Sequence, residues 1–340
     1  MVTTLEQKVP TGASLTSLVN GFILTKRTEC QSVRTAEYYE GILKRFLWHL
    51  SENQLSDDAR PLNEWHIREF LAYVSSQTSR WGISGNGSES SQKKASYTTV
   101  HHYYRALKTF FTWCINEEFL KENPMAKIKF ANPKLKVIQP YSTKEIRTML
   151  SVCEYDFKHN AQFLASRNKA IILIFLDTGL RAQELSGMLL SDIDRERGRI
   201  RVLGKGAKER VVRIGANAQK ALWKYLVYRP DCRFNEVWLT EEGKPIKKGG
   251  VQIMIRRIKE RAGIQSDGSC HRFRHTFAIN FLRMDRNPFN LQYLLGHSDL
   301  RMVKHYVAAL GMEDALKAHE NASPADMISY SVRYMGVQNE

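Results

Sequence analysis

The chain is poor in cysteine, in acidic side chains and in long apolar runs. Its five cysteines are Cys30, Cys114, Cys153, Cys232 and Cys270. Their odd number, wide spacing and lack of any CxxC pair argue against a disulfide framework or a cysteine zinc site, and a reducing cytoplasm fits. No apolar stretch approaches the roughly 20 residues of a membrane span, so no membrane partner is expected. The best candidate, Ala170–Leu176, reads as a turn or two of buried helix. Met1–Pro10 carries acidic and polar residues but no apolar leader core, so a secretory signal is not expected. No internal repeat is visible.

Acid is scarce: 35 Asp and Glu stand against 51 Lys and Arg, a formal net charge of +16. A polyanionic partner accounts for this most simply, and nucleic acid is the commonest polyanion met by a cytosolic chain. A basic surface kept only for solubility is the plainer alternative. The excess is heavier in the second part, with 18 basic against 13 acidic residues in 1–140 and 33 against 22 in 141–340.

At 340 residues the chain is long for one core and comfortable for two domains. Apolar residues recur at i, i+3, i+4 and i+7 over 13–28 and 33–52, which predicts two amphipathic helices. Shorter or similar patterns predict helices over 63–76 and 96–118. Between them, 79–95 is rich in Gly, Ser and Lys and reads as a loop. Residues 125–140 are lysine-rich, contain Pro133 and Pro140, and hold no acid. We read an extended basic linker there, centred on 131–141. A second domain opens at Ser142, where Ser142-Thr-Lys-Glu145 has the form of a capping box. Helices are expected at 143–152, 162–177, 216–228, 249–262, 272–284, 288–294 and 298–309. Arg199–Leu203 and Arg210–Ile214 read as strands of a hairpin turning at Gly204–Lys208. A further short strand is expected at 237–240, and 311–340 forms a tail that holds one more helix near 313–319. The fold class is therefore mainly α with a small antiparallel β-sheet, in two domains.

Four segments of the second domain carry candidate chemistry. In Asp177–Gly187 a helix breaks at Gly179 and restarts at Arg181. A cation at a helix start faces the positive end of the macrodipole, which hints at an anionic ligand; pairing with Glu184 is the equal alternative. At the hairpin tip, Lys205 between Gly204 and Gly206 suits phosphate contact or proton donation, although such sequences commonly serve as solvated turns. In Cys270–Thr276, His271 and Arg274 share a helix face. His271 and His275 also have the i, i+4 spacing of zinc ligands, but no HExxH glutamate and no third ligand accompany them. In Leu294–Tyr306 a helix ends at Gly296, His297 follows, and Tyr306 lies on a new helix capped by Ser298 or Asp299. A lone tyrosine at that spacing is usually core. Together, two arginines, a lysine, two histidines and a late tyrosine suit phosphoryl transfer at a DNA phosphodiester. A phenol with a pKa near ~10 needs a base or local positive charge to attack. Arginine forks can neutralise the transition state without metal, and a lysine can protonate the departing oxygen.

These motifs resemble those of the tyrosine recombinase (phage integrase) family: TGLR-x-x-E-L, a lysine in a GKG hairpin, H-x-x-R-H-T-F-A, L-G-H-S, and a tyrosine nine residues beyond that last histidine. All occur here in family order. The match is specific over 142–310, while 13–130 resembles the family's helical SAM-like core-binding domain by pattern alone. The resemblance implies a core-binding domain over 1–130, a linker over 131–141, a catalytic domain over 142–310, and a tail, 311–340, that docks between subunits. It implies Arg181, Lys205, His271, Arg274, His297 and Tyr306 as the active site, with no cofactor and no metal. It further implies double-stranded DNA as partner, a 3′-phosphotyrosyl intermediate, and strand exchange through a Holliday junction by a homotetramer on two DNA sites. Arg272 departs from the family's usual smaller or acidic residue. No additional arm-binding domain is expected ahead of a first helix near residue 13.

Three other readings share part of these features. A type IB topoisomerase would use the same chemistry, but the spacing from LGHS to Tyr306 favours the recombinase. A non-catalytic DNA-binding protein on the same fold would not need all six positions filled. A zinc-dependent hydrolase on His271 and His275 is separable by metal analysis. The biological assignment, target sequence and accessory factors are not legible in the residues.

Overall fold

The computed structural model describes residues 14–29, 33–76, 94–133, 139–204, 208–266, 268, 270–285, 287–296, 300–308, 310–311, 314, 316, 319–320, 323 and 325. Lys205 and His297 lie outside the described residues, as do most of the 79–95 loop, Lys134–Ile138 of the linker and most of the tail. The chain forms two compact units, Met1–Leu135 and Lys136–Glu340.

Unit one is built from α1 (Leu15–Glu29), α2 (Val33–Glu52), α3 (Glu64–Ser76) and α4 (Tyr97–Asn116). Each buries the stripe that its periodicity dictates. Leu15, Leu18, Val19, Phe22 and Ile23 of α1 meet Leu43 and Phe46 of α2 and Leu107, Phe110 and Phe111 of α4. Phe22 makes edge-to-face contacts with Tyr39 and Phe110 at 5.3 and 5.5 Å. Ser96 caps α4 by accepting from Thr99 N at 3.2 Å.

Unit two contains α5 (Thr143–Lys158), α6 (Gln162–Thr178), α7 (Ala182–Ser186), β1 (Ile193–Asp194), β2 (Arg199–Leu203), β3 (Glu209–Arg213), α8 (Ala216–Tyr228), α9 (Lys248–Arg261), α10 (Cys270–Asp285), α11 (Pro288–Leu295) and α12 (Arg301–Val307). The three strands form an antiparallel sheet in the order β1-β2-β3, with Val202 opposite Arg210. The fold is thus mainly helical with one small antiparallel sheet, as the residue pattern predicts. The capping box at Ser142 forms: Ser142 N donates to Glu145 Oε2 at 2.8 Å, and Glu145 N donates to Ser142 Oγ at 3.1 Å. The core centres on α6, whose Ala170, Ile171, Ile172, Ile174 and Phe175 are buried, and which packs α5, α8 and α10 around itself. A second cluster joins Ala278 and Leu282 of α10, Leu291 and Leu295 of α11, and Val303 and Tyr306 of α12.

Three expectations need correction. Helix α5 runs to Lys158 rather than to 152, because the buried stripe Met149, Cys153 continues to Phe157 beneath interposed charged residues. Residues 237–240 form no strand of the sheet. They pair only locally, Leu239 bridging Pro245 with Thr240 N donating to Lys244 O at 2.7 Å and Ile246 N to Trp238 O at 2.9 Å, while Val237 N donates to Met188 O at 2.9 Å, Tyr225 Oη to Val237 O at 2.9 Å and Arg167 to Leu239 O at 2.6 Å. Buried Trp238 instead stacks on Tyr225 at 5.2 Å. Finally, α12 starts at Arg301 with Leu300 as its N-cap, which makes no side-chain cap bond.

Candidate active site

Arg181 is the N-cap of α7 and follows the break that ends α6. Gly179 makes that break at φ 60°, in the left-handed region where a side chain is strained. An added Cβ there would lie 2.5 Å from Phe277 Cδ1 and 2.9 Å from Leu295 Cδ2. The turn lets Glu184, one helical turn on, reach back. Its Oε2 accepts from Arg181 N and its Oε1 from Arg181 Nη1, both at 2.8 Å. Arg181 therefore does pair with Glu184, yet its side chain stays 35% exposed.

Glu184 is also held from the sheet. Arg210 on β3 grips it two-pronged, Nη1 to Oε1 at 3.0 Å and Nη2 to Oε2 at 2.8 Å, and donates Nε to Leu294 O at 2.8 Å. Burial pushes the Glu184 carboxyl up, but the hydrogen bonds and charge of Arg210 and Arg181 outweigh it and hold the pKa at about 2.

Helix α10 supplies the next two residues. Arg274 is 1% exposed; it donates Nη1 to Gly179 O at 2.8 Å and Nη2 to Leu295 O at 2.9 Å, and its Nη1 lies 4.0 Å from Glu184 Oε2. Burial, and then Arg181, lower its pKa to about 10, while Tyr306 and Glu184 oppose this. His271 lies one turn back. The atoms packed round its ring disfavour the charged form, and Arg274, Arg181 and Lys248 add to this, lowering its pKa from the usual imidazole value. The shift favours the neutral imidazole.

Tyr306 on α12 is 3% exposed. Its ring meets that of His275 edge-to-face at 5.2 Å, so His275 acts as a packing partner. Burial raises the phenol pKa, while the charge of Arg274, a hydrogen bond from it, and the charge of Arg181 pull it back. Arg181, His271, Arg274 and Tyr306 are therefore brought together, three helices converging on the break after α6. Lys205 follows Gly204 in the sequence; Gly204 N donates to Lys208 O at 2.8 Å. His297 follows Gly296, the left-handed C-cap of α11 at φ 64°.

Three arginines, Arg181, Arg210 and Arg274, share the single carboxylate of Glu184 beside a buried phenol. That local excess of positive charge in a partly dry site invites an anion. Arg210 was not among the residues the motifs point to. The signal lay in the alternation of Glu209–Arg213, which places Arg210 on the inward face with Val212. Among the described residues, no group of three or more His, Cys, Asp or Glu side chains is arranged to hold a metal. No described helix is long and apolar enough to cross a membrane.

Comparison with known proteins agrees with this geometry. A sequence model of the phage integrase family matches residues 141–311. The chain belongs to the phage integrase family. It is 30% identical over 261 residues to the tyrosine recombinase XerC of Listeria innocua serovar 6a, covering 75% of this chain and 84% of that protein. It is 30% identical over 255 residues to XerC of Thermodesulfovibrio yellowstonii, covering 71% and 81%. The Tn1549 transposon integrase in complex with a circular intermediate DNA shares the fold, with TM-score 0.68 and 19% identity over 91% of this chain and 100% of that one. So does the XerH site-specific recombinase bound to palindromic difH substrate, with TM-score 0.65 and 19% identity over 93% of this chain and 86% of that one. As a phage integrase family member, the chain is a site-specific tyrosine recombinase.

Proposed function

We propose that this recombinase cleaves DNA with Tyr306 as its nucleophile and with Arg181, Lys205, His271, Arg274 and His297 as the remaining active-site residues. The observation that carries this assignment is the sharing of one carboxylate by three arginines around the buried phenol. Tyr306 Oη attacks the scissile phosphorus, its proton passing to neutral His271. Arg181 and Arg274 hold the non-bridging oxygens as charge builds on them. His297 donates a hydrogen bond to the same phosphate. As the bond to the 5′-oxygen breaks, Lys205 supplies the proton, leaving a 5′-hydroxyl strand and a 3′-phosphotyrosyl enzyme. The phosphodiester energy is kept in that ester, so ligation is the reverse attack and neither nucleotide nor metal enters. Residues 1–130 form the core-binding domain, 131–141 the linker and 142–310 the catalytic domain, which together grip duplex DNA in a cytoplasmic setting. Four copies act on two DNA sites, and the segment 311–340 docks on a neighbouring subunit.

The test is cleavage of supercoiled DNA in excess EDTA, stopped with SDS. The expected product is a covalent adduct whose free strand ends accept phosphate from polynucleotide kinase without prior dephosphorylation. Cleavage that needs a divalent metal and leaves 5′-phosphate ends contradicts the proposal.

A further inference from the structure

We infer that Arg210 is a positioning residue that sets the two catalytic arginines, Arg181 and Arg274, at once. This rests on the active-site reading just given. Arg210 lies on the inward face of β3 and is 8% exposed. Its fork fixes both oxygens of Glu184, and Glu184 holds the backbone and guanidinium of Arg181. Its third bond, Nε to Leu294 O, pins the end of α11 one residue before Leu295, whose carbonyl receives Arg274.

The two glycines that lead into the remaining candidates also rest on this side chain. A Cβ on Gly296, immediately before His297, would lie 3.1 Å from Arg210 Cδ and 3.3 Å from its Nη1. A Cβ on Gly204, immediately before Lys205, would lie 3.5 Å from Arg210 Nη1 and 3.9 Å from Glu184 Oε1. Gly296 and Gly204 thus both come close to one guanidinium. A second role follows from charge. By occupying one side of Glu184, Arg210 keeps that carboxylate from engaging Arg181 alone, so Arg181 retains attraction for a phosphate. A lysine keeps the charge but cannot make the planar two-pronged grip and the third bond together.

The experiment compares wild type, Arg210→Lys and Arg210→Gln in single-turnover DNA cleavage, in DNA binding and in thermal unfolding. Cleavage is expected to fall by about 100-fold in both variants, the cost of displacing catalytic groups by about 1 Å. DNA affinity is expected to stay near that of wild type. Each variant is also given a strand with a neutral methylphosphonate at the scissile position. Because part of the effect runs through Arg181 and the charged oxygen, the defect relative to wild type shrinks on that substrate. Arg210→Lys preserves the buried charge and carries the test if Arg210→Gln does not fold. Near-wild-type cleavage by Arg210→Lys, or an equal defect on both substrates, overturns the inference while leaving the active-site reading intact. If Tyr306→Phe still forms the covalent adduct, that reading falls, and the inference with it.

Discussion

Glu184 sets the charge balance of the site, and it does so from a position that forbids it to be neutral. Its carboxyl, 5% exposed, is held at about 2 because Arg210 and Arg181 supply more stabilisation than burial removes. A carboxylate whose folded pKa is depressed contributes stability above its unfolded value, and that contribution is lost as pH falls through the folded value. For a shift from 4.5 to about 2 the contribution is on the order of 3 kcal/mol. Glu145, ion-paired to Arg272 and also at about 2, behaves in the same sense. Stability is therefore expected to fall as pH drops from 4.5 toward 2. Glu184→Gln lowers stability at neutral pH and shows a shallower loss in that window, since the Glu184 share is gone. Thermal unfolding against pH checks this; parallel curves for the two proteins contradict it. At this scale the sequence was partly readable. Arg181, His271, Arg274 and Tyr306 stand in motifs whose spacing brings them together. Arg210 was not visible, because a charge inside a five-residue strand is ordinarily taken to face solvent, and the register that turns it inward is set by pairing with β2.

At the scale of elements, the site depends on two helix ends that stop in the left-handed region. Gly179 ends α6 and exposes its carbonyl to Arg274, and Gly296 ends α11 beside Arg210. Gly179→Ala meets both backbone strain and the Phe277 and Leu295 side chains, so a stability loss of about 2–4 kcal/mol is expected. Because the same carbonyl orients Arg274, cleavage in this variant falls further than its unfolded fraction explains. Denaturant unfolding beside single-turnover cleavage at a temperature where the variant is folded separates the two effects; cleavage at the wild-type rate there contradicts this role for the turn. Helix existence and type were legible from periodicity, and both glycine stops from their place after an apolar run. Two features were hidden. The last turn and a half of α5 was hidden by the charged residues between Cys153 and Phe157. At 237–240, β-rich residues pair only locally, through the bridge of Leu239 to Pro245, and give their other carbonyls to Tyr225 and Arg167, so they join no strand of the sheet.

At the scale of the whole molecule, an acid-poor chain of net charge +16 folds into two units, the second of which carries the phage integrase match and every described candidate residue. The charge asymmetry and the motif order pointed to this arrangement; the interlocking of Arg181, Glu184 and Arg210 became evident only once the sheet and the helix ends were in place. The central claim is that Tyr306 forms the covalent bond to DNA. The measurement that tests it most directly is SDS-resistant adduct formation by wild type and by Tyr306→Phe on the same DNA without metal, with the attached peptide identified by mass spectrometry. The account predicts an adduct for wild type only, on the peptide containing Tyr306. An adduct in Tyr306→Phe, or a wild-type adduct on any other residue, contradicts it.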